Sequence, residues 1–166
     1  MKKARGYIFS RKFLGERIPQ SVQNLVIRDY CERNHIMYLL SATEYAMNNS
    51  SKVLFKTVNE VNKESIILYS LFQLPNNSEK RDNVYKIAIK NKKKIYFALE
   101  NRVLNNKDDI NMIEDIISYS VRDADINKNI KKDLKIGDLT AVSEIDEDFK
   151  NDSQLIYERT KTSSFN

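Results

Sequence analysis

The sequence predicts one α/β domain of three layers: a four-stranded, mainly parallel sheet with helices on both faces, plus an irregular C-terminal extension. Three observations predict it. Short apolar runs bounded by polar or turn residues recur four times, at residues 7–9, 36–40, 65–71 and 94–99. Between them, apolar residues fall three and four apart, the helical period. The 166 residues, 41% hydrophobic, suffice for one core rather than two. Strands and helices alternating in this way argue for parallel pairing with crossovers that cover the sheet.

The elements follow in order. Tyr7-Ile-Phe9 lies between Gly6 and Ser10 and reads as a buried strand. A polar stretch, residues 11–18, precedes Pro19, which suits a first helical turn. Val22, Leu25, Val26, Tyr30 and Cys31 then keep helical spacing, and Asn34 ends that helix. Residues 36–40 form the second strand and residues 41–45 its loop. Asn48-Asn-Ser-Ser51 offers an N-cap for a helix with the stripe Val53, Leu54, Thr57, Val58 and Val61. Residues 65–71 are the clearest buried strand, rich in β-branched and apolar side chains. Pro75 and the cap region Asn76-Asn-Ser-Glu79 start a helix that runs to about Lys90. Residues 94–99 are the fourth strand. Asp108 or Asp109 caps a last helix that buries Ile110, Ile113, Ile116, Ile117 and Val121.

After Val121 the pattern weakens, so the chain divides into an α/β domain, 1–121, and a polar extension or arm, 122–166. The extension carries an acidic patch, Glu144-Ile-Asp-Glu-Asp148, a possible short strand at 139–142 and a frayed polar end. A second subunit packing against this arm would give a homodimer.

Composition excludes several function classes. One Cys, Cys31, and one His, His35, leave no closed zinc site and no internal disulfide. Three glycines in the whole chain permit neither a P-loop nor a dinucleotide fingerprint. No cofactor and no metal are expected. No segment approaches the ~18 apolar residues of a membrane span, so the chain is expected to be cytoplasmic. The net charge of +5 comes with abundant Lys, Asn and Ile, a coding bias more than a partner signal. The basic run Lys90-Asn-Lys-Lys-Lys94 reads as a solvated helix end, and the acidic patch would repel DNA, so nucleic acid is disfavoured as a partner.

In parallel α/β sheets, ligands bind outside the carboxyl ends of the strands. Here that crevice collects residues 10–17, 41–45 and 72–77. Ser10, Glu16 and Glu44 are the candidate catalytic groups: a hydroxyl and two carboxylates for nucleophilic or acid/base work. Tyr7, Arg11, Arg17, Gln20, Gln23, Tyr45 and Gln73 are the candidate binding groups. The arginine forks match phosphate or carboxylate, and the amides and hydroxyls are hydrogen-bonding groups. No histidine is near Ser10 to activate it.

Two resemblances follow from particular words. Tyr7-Ile-Phe-Ser10, Gln20 and Gln23, Asp29-Tyr-Cys-Glu-Arg-Asn34, Ile66-Ile-Leu-Tyr-Ser-Leu-Phe-Gln-Leu74 and Lys94-Ile-Tyr-Phe-Ala-Leu-Glu100 resemble the serine recombinase (resolvase) catalytic domain over roughly residues 5–120. That implies a resolvase-like or flavodoxin-like fold. The family's arginine between tyrosine and serine is missing, because only Ile8 and Phe9 stand there. Its Asp-Arg-Leu is Phe72-Gln-Leu74 here, with Asn76 and Asn77 after it. An uncharged amide cannot stabilise a phosphoryl transition state as a guanidinium does, so strand exchange is not implied.

Arg5-Gly-Tyr-Ile-Phe-Ser-Arg11, Gly15-Glu-Arg-Ile-Pro-Gln20, Val22-Gln-Asn-Leu-Val-Ile-Arg-Asp-Tyr30 and Leu39-Leu-Ser-Ala-Thr-Glu-Tyr-Ala-Met47 are similar to the sporadic carbohydrate cluster protein family. This second resemblance implies a setting in bacterial surface-polysaccharide (O-antigen or capsule) biosynthesis. The leading expectation is therefore a protein that binds or acts on a sugar or nucleotide-sugar at the strand ends. The alternatives are a non-catalytic partner or regulator of a pathway enzyme, and a degenerate resolvase-like nucleic-acid-binding protein.

Overall fold

The computed structural model describes residues 2–12, 17–60, 62 and 64–133, except the side chains of 124–133. In chain order the elements are β1 (Lys2–Ile8), α1 (Gln20–Arg33), β2 (Ile36–Thr43), α2 (Lys52–Asn59), β3 (Ser65–Leu68), α3 (Ser78–Lys90), β4 (Ile95–Phe97), β5 (Arg102–Leu104) and α4 (Lys107–Asp133). The sheet order is β2-β1-β3-β4-β5. Its first three pairings are parallel, and β4–β5 is antiparallel. The sheet thus has five strands, one more than the sequence predicts. The extra strand has three residues, two of them exposed, and gives no apolar run to read. It follows a tight turn in which Asn101 takes a φ of 51°.

Both faces of the sheet are buried, and alternation along the strands divides the core in two. Tyr7, Phe9, Ile66, Leu68, Ile95 and Phe97 meet Leu54 and Val58 of α2, Val84, Tyr85 and Ala88 of α3, and Ile113 of α4. Ala4, Ile8, Ile67, Tyr69 and Tyr96 meet Ile27, Tyr30 and Cys31 of α1 on the other side. Continuous apolar runs such as Ser65-Ile-Ile-Leu68 are what a strand covered on both faces requires.

Several expectations are corrected locally. α1 buries Gln23, Ile27, Tyr30 and Cys31 and leaves Val22 and Leu25 exposed. Its inner face is set by a buried amide that hydropathy does not count. α2 takes no side-chain hydrogen bond from its N-cap, Ser51. α4 is capped by Asn106 rather than by an aspartate. The Asn106 carbonyl accepts from the amides of Asp108 and Asp109, and Asp109 reciprocates by accepting from Asn106 N. Val121 is exposed. The run 90–94 is not wholly solvated. Lys93 is 4% exposed, and its Nζ donates to Thr57 O and Asn62 Oδ1. Burial holds its ammonium below the ordinary lysine range.

The chain divides into one unit of residues 1–119 and another of 120–166. Helix α4 carries the described chain through Asp133, beyond the expected boundary at Val121. The acidic patch, the strand expected at 139–142 and most of the arm lie outside the described residues, as do Val61 and Glu16. Among the described residues, no helix is long and apolar enough to cross a membrane.

β2 forms one edge of the sheet and carries no charged side chain from Ile36 to Thr43. Its register against β1 slips by one residue. Arg5 faces Leu39, whereas Tyr7 faces Ala42, so β2 bulges opposite Gly6. The bulge turns Ser41 inward, where its Oγ joins Tyr38 Oη and Asn24 Oδ1 of α1 at 2.6 and 2.8 Å. A Cβ at residue 6 would lie 2.1 Å from Ser41 Oγ and 3.1 Å from the Tyr38 ring. Gly6→Ala should therefore lower stability by about 1–3 kcal/mol in urea titration, the usual range for overpacking. Adding Ser41→Ala should recover part of that loss. Equal stability of Gly6→Ala and the wild type would remove this account of the bulge.

Candidate functional site

Glu44 follows β2 and is 2% exposed, yet it carries a carboxylate. Five donors meet it. Its Oε2 accepts from Tyr7 Oη at 3.1 Å and from the α2 amides of Val53 and Leu54 at 3.0 and 3.2 Å. Its Oε1 accepts from Ser50 Oγ at 2.9 Å and from Tyr45 N at 3.1 Å. Burial alone would raise its pKa. Hydrogen bonds from Ser50, Leu54, Tyr45 and Tyr7 outweigh that, so the carboxyl titrates below its ordinary value. Tyr7 responds in the opposite direction: burial, then the Glu44 charge, holds its hydroxyl protonated and donating. Glu44 thus replaces the missing N-cap of α2, satisfying amides that would otherwise be orphaned and countering the helix dipole. This geometry makes Glu44 a joint between β1, β2 and α2, with no free lone pair turned to a crevice.

Gln23 and Gln73 also meet, although 50 residues separate them. Gln23 Oε1 accepts from Phe9 N at 3.2 Å, and its Nε2 donates to Phe9 O and Ile18 O at 2.7 and 2.8 Å. Gln73 Nε2 donates to Gln23 Oε1 at 2.8 Å, while its own Oε1 accepts from Tyr69 N and Ser70 N. Both side chains are fully buried. They tie off the ends of β1 and β3, where parallel pairing stops and backbone groups need partners. This is why β3 ends at Leu68 and not at Leu71. The chain turns at Ser70 into a 3-10 turn, Leu71–Gln73, and Glu100 accepts from Ser70 Oγ at 2.6 Å and Leu71 N at 3.1 Å.

The remaining predicted groups lie at the mouth of the strand ends. Ser10 and Arg11 leave β1 half-exposed; Arg17 is exposed, and Gln20 begins α1 half-exposed. Tyr45 is 57% exposed. His35 precedes β2 at the opposite end of the sheet and cannot reach Ser10. Arg11 is fixed in place. Its Nη1 donates to Ser50 O, and its guanidinium stacks 4.2 Å from the centroid of the Phe9 ring.

Beside Ser50 opens a concavity of about 570 Å³, lined by residues 47–52, Phe55 and Lys80. The sequence does not single out Lys52, Phe55 or Lys80 as site residues. They come from the first turns of two helices, and only the sheet order brings them together. α3 is anchored so that Lys80 points there. Asn77 Oδ1 accepts from Lys80 N at 2.9 Å. Next to it Arg81 grips Glu114 of α4 with two bonds, at 2.8 and 2.6 Å, and donates to the carbonyls of Pro75 and Asn76. Among the described residues, neither Lys52 nor Lys80 has a carboxylate partner, and no acidic side chain lines the concavity. No group of three or more potential metal ligands occurs among the described residues.

The chain matches no protein-family model and no curated protein. Its fold is similar to solved recombinase domains. One is the N-terminal catalytic domain of TP901-1 integrase, with a TM-score of 0.53 and 14% identity over 75% of this chain and 98% of that one. Another is a resolvase family site-specific recombinase from Streptococcus pneumoniae, with a TM-score of 0.53 and 9% identity over 81% and 98%. The resolvase-like fold is therefore present. The polysaccharide-biosynthesis role and its sugar-binding crevice are corrected: nothing supports the carbohydrate-cluster family, and the two solved structures of similar fold named above are an integrase catalytic domain and a site-specific recombinase.

Folding lowers the Glu44 pKa, so the unfolded chain takes up that proton first on acidification. The stabilisation from Glu44 is complete above the ordinary value of 4.5 and is lost as pH falls through the lower folded-state value. Glu44→Gln should cost about 1–3 kcal/mol at neutral pH by chemical denaturation. The gap to wild type should narrow in acid; a gap independent of pH would contradict the capping role.

Proposed function

We propose that this protein is a recombinase-fold module that binds the phosphate backbone of nucleic acid and does not cut it. The observation that carries this reading is that Lys52 and Lys80 line one concavity with no acidic lining residue among the described residues, while Arg11 is bonded to the carbonyl of Ser50, a residue of that lining. Two known proteins of similar fold are, by name, an integrase domain and a site-specific recombinase, which supports nucleic acid over sugar as the partner. The N-terminus of α2 is filled by Glu44, so a phosphate must be met by side-chain cations and not by helix amides.

Several features argue against cleavage. Phe72-Gln-Leu74 stands where the resembled motif has Asp-Arg-Leu, and the amide of Gln73 is consumed by Gln23 and by the backbone. The local guanidinium, Arg11, is held by Ser50 O and the Phe9 ring, which suits a fixed phosphate clamp. Among the described residues, no side chain hydrogen-bonds the Ser10 hydroxyl to activate it. Tyr45 lies two residues before the lining loop; Ser10, Arg17, Gln20 and Glu16 take no assigned part.

Fluorescence anisotropy with labelled single- and double-stranded oligonucleotides tests the reading. The logarithm of the binding constant should fall with the logarithm of salt at a slope of about −0.9 per phosphate neutralised on duplex and about −0.7 on single strand, hence roughly −3 and −2 for three cations. Lys52→Ala and Lys80→Ala should each reduce that slope by about 1. A denaturing gel should show no covalent protein–DNA adduct. Salt-independent binding, or a double lysine variant that binds like wild type, would remove the proposal.

A further inference from the structure

We infer that the same concavity prefers single-stranded nucleic acid and stacks an unpaired base on Phe55, an inference that rests on the phosphate-binding reading above. Its lining combines two chemistries that a duplex cannot use together. Lys52 and Lys80 supply charge at the rim, while Phe55 and Met47 supply apolar surface. In a duplex the faces of the bases are stacked on one another, so only phosphates, sugars and groove edges are offered. A single strand offers phosphates and an open base face together, and sites for it pair cations with aromatic platforms.

The geometry favours such a platform. Lys52 and Phe55 are three residues apart on α2 and so occupy neighbouring positions on one helix face. The Phe55 ring is half-buried and packed from below by the core, which fixes it without hiding it. Met47, also in the lining, is 60% exposed, a soft thioether suited to the edge or face of a ring. Asn48 and Asn49 contribute amides that can meet a base edge, and Asn49 holds a φ of 57° that shapes the loop. A volume of about 570 Å³ lies within the range of sites that accept small organic groups.

The chain contains no tryptophan, so Phe55→Trp would place a unique fluorescent platform in the site. Short oligothymidylate should quench the introduced indole, and the matching duplex should leave it bright. Anisotropy should show the single strand binding the wild type at least about tenfold more tightly than the duplex of the same sequence. Phe55→Leu should lose most of that preference while keeping its salt dependence. A thermal melt of each variant, compared with wild type, separates loss of stacking from loss of fold. Equal affinity for both forms, or quenching by both, would overturn the stacking inference and leave phosphate binding standing. Absence of binding by either form would overturn both.

Discussion

The buried Glu44 carboxylate is the interaction on which the strand-end architecture depends. It receives one donor from β1, one from the backbone after β2, one from Ser50 and two from α2. A charge in so dry a place is tolerable only when its lone pairs are satisfied, and here each partner is itself locked by the contact. The α2 amides gain a cap, the Tyr7 hydroxyl a fixed rotamer, and the 45–51 loop an anchor. Because that loop and the first turn of α2 form most of the concavity, an acidic group that touches no ligand determines the shape of a basic site.

The Gln23–Gln73 pair extends the same logic across the sheet. Two side-chain amides replace the hydrogen bonds that β1 and β3 lose where they diverge, and the Glu100 carboxylate does the same for the turn after β3. These polar side chains do the work at the strand ends that ligands or catalytic groups do in other sheets of this kind. The site is therefore rigid beneath and open above, with its cations carried on helix starts.

Much of the fold was legible because hydropathy reports burial directly. Four parallel-sheet strands and four helices follow from apolar runs and their spacing, and Asn34 and Asn77 mark helix ends as their chemistry suggests. β5 was not legible, since a three-residue edge strand with two exposed side chains has no pattern of its own. The inner face of α1 was misread because it contains Gln23, and a buried amide looks like a surface residue until its partners are known. The concavity was not legible, since none of the candidate site residues named from the sequence lines it. Tyr7, Gln23, Glu44 and Gln73 look like ligands in one dimension because polar residues cluster at the strand ends. The partners that tie Tyr7 to Glu44, Gln23 to Phe9 and Gln23 to Gln73 are 14 to 50 residues apart, and spacing cannot reveal them. Lys52, Phe55 and Lys80 are ordinary helix residues until the strand order sets α2 beside α3.

The bulge opposite Gly6 bears on the protein's behaviour in a crowded solution. An edge strand of eight residues without a charge, proline or lysine is a ready template for another chain's backbone. β2 escapes this through its extra residue, which breaks the regular ladder of amides and carbonyls in the middle and turns Ser41 toward α1. Neither half of the interrupted edge is long enough to seed extended pairing. A glycine in the neighbouring strand thereby permits the bulge that makes this uncharged edge a poorer template for another chain.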